Sequence, residues 1–146
     1  MNERDFLKLA VILARGSTEA EWRASLGRAY YAAFHVARGL LEDLGFVVPR
    51  ADRAHTYLSY RLQNSGDAHV ERAGMDLQEL RQRRNQADYD LHLPVTRVMA
   101  ASHVLTAEQI IQRLDAARSE PVRTHITDAI RIYERTALGV VTWHVP

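Results

Sequence analysis

The chain has 146 residues and a formal net charge of +1, and 47% of its residues are hydrophobic while 25% are charged. This length and composition indicate one globular domain with a hydrophobic core and exclude a disordered chain. The absence of cysteine excludes disulfides, thiolate catalysis and cysteine-ligated metals. No apolar stretch approaches the roughly 20 residues of a membrane-spanning helix, and the first residues lack a signal-peptide core, so we expect a cytoplasmic protein without membrane association.

Arginine supplies nearly all of the positive charge, and Lys8 is the single lysine. Guanidinium groups bind phosphate and carboxylate bidentately, which favours anion recognition. Codon bias in a GC-rich genome gives the same composition, and we take it as the main explanation. The near-zero net charge therefore gives no strong case for nucleic acid.

Apolar residues recur at steps of three and four along most of the chain, the period of amphipathic helices, and no stretch alternates in the manner of a strand. We predict helices at 3–15, 19–44, 52–64, 68–89 and 97–118, with a last amphipathic segment from Pro121 onwards. The predicted fold is all-α, an antiparallel helical bundle of five to six helices. We expect residues 1–120 to form the bundle, and the C-terminal helix and apolar tail of 121–146 to pack on it or on a partner.

Two of these helices carry more specific expectations. The helix at 19–44 is apolar on most sides, which is typical of the centre of a bundle, and Thr18 with Glu21 forms a capping box at its start. In the helix at 97–118 the predicted core face consists of Val98, Ala101, Val104, Leu105, Ala107, Ile111 and Leu114.

The helix at 68–89 contains an arginine where its apolar stripe calls for an aliphatic residue. Arg84 lies on the stripe of Leu77, Leu80, Ala87 and Leu91, Arg81 and Asp88 lie beside it, and Arg84 and Asp88 form an i,i+4 pair. A guanidinium on a buried stripe is costly unless it is paired or faces a cleft. This conflict indicates either a structural ion pair or a functional site.

Familiar catalytic and cofactor motifs are missing, and the seven histidines lack metal-ligand spacing, so we predict no metal and no cofactor. We expect His55 and His103 to be partly buried hydrogen-bonding groups. His92, just after the arginine helix, is either a solvated loop residue or a general acid or base. Tyr30 and Tyr31 are either core aromatics alone or also orient Arg84 and Asp88.

Two blocks together resemble the HEPN superfamily. Residues 26–37 read LGRAYYAAFHVA and are similar to its SRxYYAxFHxA helix, with Gly27 in place of the usual Ser. Residues 80–90 read LRQRRNQADYD and resemble the LRxxRNxADYD helix of small UPF0332-type members. The likeness covers roughly residues 5–118.

This resemblance implies a small helical bundle, a two-fold homodimer, and in many members a metal-independent ribonuclease that acts as a toxin beside a minimal nucleotidyltransferase. The family motif is an Arg and a polar residue, followed after a short spacer by a His. Arg84 and Asn85 match its start, Tyr89 occupies the histidine position of the shortest spacing, and His92 comes later than the motif allows. A tyrosine with a pKa near 10 is a poor base at neutral pH.

Three hypotheses follow for the function. In the first, the protein is a dimeric HEPN module of a toxin–antitoxin-type system that binds RNA, a nucleotide or a nucleotidyltransferase, with little catalysis. In the second, it is an active endoribonuclease toxin that uses Arg84 with His92 or Tyr89. In the third, it is a structural bundle without a ligand. The candidate ligand-binding residues are Arg81, Asn85, Asp88, Tyr30 and Tyr31.

Overall fold

The protein is described by a computed structural model that covers residues 1–146 and contains six α-helices. The helices are α1 (Arg4–Ala14), α2 (Glu19–Leu44), α3 (Arg53–Gln63), α4 (Ala68–Tyr89), α5 (Arg97–Ala116) and α6 (Val122–Tyr133), followed by a π-helical turn at Glu134–Leu138. No strand is present, apart from an isolated antiparallel bridge between Phe46 and Trp143. The predicted all-α bundle is therefore confirmed. None of the helices is both long and apolar enough to span a membrane.

Helix α2 lies at the centre of the bundle and packs against α1, α4 and α5. Its small residues Ala29, Ala32, Ala33 and Ala37 are fully buried, which lets the neighbouring helices approach closely. The predicted cap is present, because Oγ1 of Thr18 accepts a hydrogen bond from the backbone N–H of Glu21 at 3.2 Å. The helix ends at Gly45, whose φ of 110° favours glycine.

Helix α4 has the span that the sequence predicts, 68–89. Asp67 caps its start, because Oδ1 accepts hydrogen bonds from the backbone N–H groups of His69 at 3.1 Å and Val70 at 3.0 Å. Its end is fixed from α2, where Arg23 donates to the carbonyl oxygens of Ala87 at 2.8 Å and Asp90 at 3.1 Å. These bonds satisfy carbonyl groups that a helix end leaves without partners. Both ends of the arginine helix are therefore held in place.

The predicted core face of α5 is partly wrong, since Val98, Ala101 and Leu105 are exposed. The buried stripe consists of Ala100, Val104, Ala107, Ile110, Ile111 and Leu114. The helix carries two neighbouring apolar stripes, and only the one that meets α2 and α4 is buried. Periodicity alone does not distinguish two such stripes.

The C-terminal segment is attached to the bundle by polar contacts. Arg61 of α3 and Glu134 form a buried ion pair, with Nε and Oε2 separated by 2.9 Å. Oε1 of Glu134 accepts from the backbone N–H of Thr142 at 3.0 Å, and the hydroxyls of Thr142 and Tyr57 are 2.6 Å apart. The indole N–H of Trp143 donates to the carbonyl of Leu44 at 2.8 Å. The segment is thus joined to α3 and to the end of α2.

Candidate functional site

Arg84 lies on α4 with its guanidinium against α2, and its side chain is 19% exposed. Nη2 donates to the hydroxyl of Tyr31 at 3.1 Å, and the guanidinium carbon lies 5.0 Å from the centre of the Tyr31 ring. Gly27 packs beside the aliphatic stem without close contact, because a Cβ at that position would lie an ordinary 4.0 Å from Cγ of Arg84. Tyr31 therefore orients Arg84, as one of the two predictions for this tyrosine states.

The predicted Arg84–Asp88 pair is present, with Nε and Oδ2 separated by 2.9 Å. The Nε–H is buried and makes no hydrogen bond, so it is not directed at that oxygen and the contact is electrostatic. Nη1 donates to Oδ1 of Asn85 at 3.4 Å. Arg84 is therefore neutralised by Asp88 and fixed by Tyr31 and Asn85.

Arg81, one helical turn earlier, lies in a different environment. It lines a cavity of about 130 Å³ between α2, α3 and α4, together with Tyr30, His55, Ser59 and Asn85. None of the residues around this cavity is acidic. Arg81 forms no ion pair with any carboxylate of the chain. We call this space the donor cavity, because its polar lining consists of hydroxyl, amide, imidazole and guanidinium groups.

His55 faces the donor cavity and is hydrogen-bonded through Nδ1 to the hydroxyl of Tyr30. Burial raises the pKa of Tyr30, so this hydroxyl keeps its proton, and His55 is its one hydrogen-bond partner. A buried O–H without an acceptor is costly, and Nδ1 is the one atom placed to accept from Tyr30, so we assign the tyrosine as donor, which leaves the proton of the neutral imidazole on Nε2. Nε2 has no partner in the protein and is accessible, so it presents an N–H donor to the cavity. Tyr30 is thus a core aromatic with one hydrogen-bond partner and His55 a partly buried hydrogen-bonding group, as predicted, while Tyr30 makes no hydrogen bond to Arg84 or Asp88.

Burial lowers the pKa of His55, and the neighbouring charge of Arg81 lowers this pKa further. Both effects disfavour the imidazolium form at neutral pH. The cavity thus holds one uncompensated positive charge, on Arg81, beside a neutral imidazole.

The other two predicted catalytic side chains lie away from Arg84. Tyr89 is the last residue of α4 and is 80% exposed, and it makes neither a hydrogen bond nor a cation–π contact with Arg84. His92 is exposed in the turn that follows, where its backbone N–H donates to Oδ1 of Asp90 at 3.1 Å. The structure brings Arg84, Asn85 and Asp88 together but does not add Tyr89 or His92 to them.

Two residues of the site were not predicted to belong to it. His55 reaches the cavity through its bond to Tyr30, and the two residues are 25 positions apart, so no local spacing indicates their contact. Arg23 sits on α2 and holds the end of α4. Only the tertiary packing of α2 against α4 brings Arg23 to this position.

The chain contains no group of three or more His, Asp or Glu side chains placed to hold a metal ion. The donor cavity itself offers mainly N–H and O–H groups and a cation, which suit an anion and not a metal.

A comparison with known domain families matches residues 4–117 to the family described as HEPN domain. No curated protein and no solved structure shows a significant match to the chain. The matched range contains helices α1 to α5, including every residue of the donor cavity, and it covers more than half of the chain. The chain therefore belongs to the HEPN domain family.

Proposed function

We propose that this protein is an RNA-binding HEPN module in which the donor cavity holds a backbone phosphate. One observation carries this proposal: Arg81 is a cation without a carboxylate partner in a cavity that has no acidic lining. A partly buried guanidinium without a counter-ion is unfavourable, and an anionic ligand would supply the missing charge.

The remaining lining residues suit the same ligand. Nε2–H of His55 is a free donor, and Asn85 turns its oxygen towards Arg84, which leaves its amide N–H groups free. Arginine together with neutral N–H donors is the usual set that contacts phosphate oxygens in nucleic-acid complexes. Arg84 contributes less charge, since Asp88 neutralises it, but it fixes the position of Asn85.

The same geometry favours RNA binding without RNA cleavage. Cleavage of RNA without a metal needs a base that accepts the proton of the 2′-hydroxyl. In the tautomer assigned to His55 the lone pair lies on Nδ1 and is engaged by Tyr30, so the free nitrogen, Nε2, carries a proton and cannot act as the base. Neither Tyr89 nor His92 makes a hydrogen bond to Arg84, and Tyr89 would be a weak base.

The wider setting of this proposal comes from the family resemblance. We infer a cytoplasmic homodimer of the UPF0332-type branch that works with a minimal nucleotidyltransferase in a toxin–antitoxin-type system. The similarity of residues 26–37 and 80–90 to that branch supports this inference. Copurification of the chain with a nucleotidyltransferase encoded beside it, and its mass in solution, test the partner and the dimer.

Binding of a labelled RNA oligonucleotide, measured by fluorescence anisotropy in the presence of a chelator, tests the phosphate site. Arg81→Gln removes the uncompensated charge, and we expect an affinity loss of about tenfold or more, since a hydrogen bond to a charged group contributes roughly 1.5–3 kcal/mol. Arg83→Gln is the matched control, because Arg83 lies on the same helix, outside the donor cavity, and pairs with Glu79 at 3.6 Å. We expect this control to change the affinity less than about twofold.

Equal losses in both variants would show that RNA binds through general positive charge, and would contradict the proposal. Cleavage of the RNA in chelator, abolished by Arg84→Ala and by His92→Ala, would instead establish the endoribonuclease hypothesis. If the unaltered protein binds no RNA, the proposal is wrong and the third hypothesis, a structural bundle without a ligand, is favoured.

A further inference from the structure

A second depression adjoins the donor cavity on the other side of α3. This groove has a volume of about 420 Å³, and it shares Thr56 and Tyr60 with the cavity, so these two residues form the ridge between them. We call it the α3 groove. Tyr57 and Tyr133 also line it, and both belong to ordered helices.

The far wall of the α3 groove comes from the C-terminal segment. Tyr133, Leu138, Val140 and Thr142 line it, and all four lie beyond the matched HEPN range of 4–117. The buried Arg61–Glu134 pair and the Thr142–Tyr57 hydrogen bond fix this wall to α3. The chain therefore adds a fixed aromatic and aliphatic surface beside a cavity that lies within the family domain.

The chemistry of the α3 groove complements that of the donor cavity. Its lining is mainly aromatic and aliphatic, with Tyr60 47% exposed, and it also includes two threonines and two arginines but no acidic residue. The hydroxyls of Tyr60 and Tyr133 make no hydrogen bond within the protein and are accessible. Arg53 at the rim pairs with no carboxylate. Aromatic faces beside a cationic groove are the features with which proteins bind unpaired bases.

We propose that the α3 groove is a nucleobase-binding subsite for single-stranded RNA, in which a base stacks on Tyr60 or Tyr133 while the adjoining phosphate occupies the donor cavity. This inference rests on the proposed function, since it assigns the same ligand to two connected spaces. A duplex is excluded as the ligand, because its bases are already paired and stacked and cannot enter the groove.

Three RNA probes test this subsite by fluorescence anisotropy: a single-stranded oligonucleotide, the same oligonucleotide with abasic ribose units, and its duplex. We expect the full-length protein to bind the single strand about tenfold more tightly than the other two, since stacking of one base is worth about that factor. Tyr133→Leu removes one aromatic face while keeping an apolar side chain, and should abolish this preference where Tyr133 is the stacking partner; Tyr60→Leu should abolish it where Tyr60 is. Tyr133→Phe should retain it.

Ile132→Ala is the matched control, because Ile132 is the exposed neighbour of Tyr133 on α6 and does not line the groove. Tyr60→Leu provides a second variant on the other wall in case Tyr133→Leu unfolds, which circular dichroism would reveal. Both tyrosines are accessible, so we expect both variants to fold.

The two proposals fail in different ways. If the protein binds the single-stranded and abasic probes equally, or if neither Tyr133→Leu nor Tyr60→Leu alters the preference, the inference is overturned, and the groove is left to a protein partner. Arg81→Gln would in that case still weaken all probes if the phosphate site is correct. If the unaltered protein binds none of the probes, both proposals are overturned together.

Discussion

At the scale of single residues, the bond between Tyr30 and His55 joins a buried hydroxyl to an imidazole at the edge of the donor cavity. The Tyr30 hydroxyl has one hydrogen-bond partner, the imidazole of His55. In a neutral imidazole one nitrogen accepts a hydrogen bond and the other donates one. If Tyr30 donates to Nδ1, the proton of the neutral imidazole lies on Nε2 and is free to donate. On the proposed function, a residue that the sequence presents only as a histidine in an amphipathic helix contributes a donor to the phosphate site.

The pKa of His55 depends on the electrostatic potential in the donor cavity and can be measured. Burial is the larger cause of its lowered pKa and Arg81 the next. We therefore predict that Arg81→Gln raises the His55 pKa without restoring the ordinary value of 6.5. NMR titration of the imidazole carbons measures this. His35 is the internal control, since its pKa is lowered by burial and by Arg38 and should stay unchanged.

The same pKa has a consequence for stability. A folded pKa below that of the unfolded chain means that the unfolded state binds more protons between the two values. We therefore predict that the contribution of His55 to the free energy of unfolding is complete above pH 6.5 and is lost as the pH falls through the folded pKa. Urea denaturation at pH 7.5 and at pH 5 measures the loss. In Arg81→Gln the loss should be smaller, and an unchanged or larger loss would contradict the assignment.

At the scale of helices, two glycines show how closely the bundle is packed. Gly27 on α2 would accommodate a Cβ, since the nearest atom, Cγ of Arg84, would lie 4.0 Å away in ordinary van der Waals contact. Gly74 on α4 lies against α3, where a Cβ would come within 2.8 Å of Cβ of Leu62 and 2.9 Å of the backbone nitrogen of Gln63. The two positions look alike in the sequence, as isolated glycines inside helices.

We predict that alanine has opposite effects at these two positions. Gly27→Ala should stabilise the protein by about 0.5–1 kcal/mol, because glycine is unfavourable in a helix interior. Gly74→Ala should destabilise it by about 1–3 kcal/mol, because the backbone of α3 must move. Urea denaturation followed by circular dichroism compares the two. A gain in stability for both variants would show that α3 and α4 are not in close contact.

The helices themselves could be predicted from the sequence, because their signals are local. Thr18 caps α2, and α4 begins after Asp67 and ends at the predicted position. The error on α5 arose because burial depends on which neighbour a stripe meets, and periodicity does not contain that information. Val98 and Leu105 satisfy the helical period as well as their buried neighbours do.

At the scale of the whole molecule, part of the candidate site could be predicted from the sequence and part could not. The Arg84–Asp88 pair could be predicted because its members are one turn apart on one helix. The donor cavity could not, because its walls come from three helices, and its histidine and arginine are far apart in the chain. The α3 groove adds residues from the C-terminal segment, which the family comparison does not cover.

Among the contacts that attach that segment is a buried ion pair, in which the side chains of Arg61 and Glu134 are 7% and 1% exposed. Removing one partner of a buried pair leaves an uncompensated charge, so we predict that Glu134→Gln destabilises the protein by about 3 kcal/mol. Glu79→Gln breaks the exposed pair with Arg83 and is the control, with an expected change below about 1 kcal/mol. Urea denaturation measures both variants.

Replacing both members of the buried pair with apolar residues removes the charges and keeps most of the packing, so their contributions to stability can be measured separately. The double variant Arg61→Met with Glu134→Leu should recover most of the stability that Glu134→Gln loses, because no buried charge then remains unpaired. Since Glu134 also accepts a hydrogen bond from Thr142, this double variant should still disturb the wall of the α3 groove. If Glu134→Gln proves no more destabilising than Glu79→Gln, the pair is solvated, and the C-terminal segment is held to α3 by its apolar contacts instead.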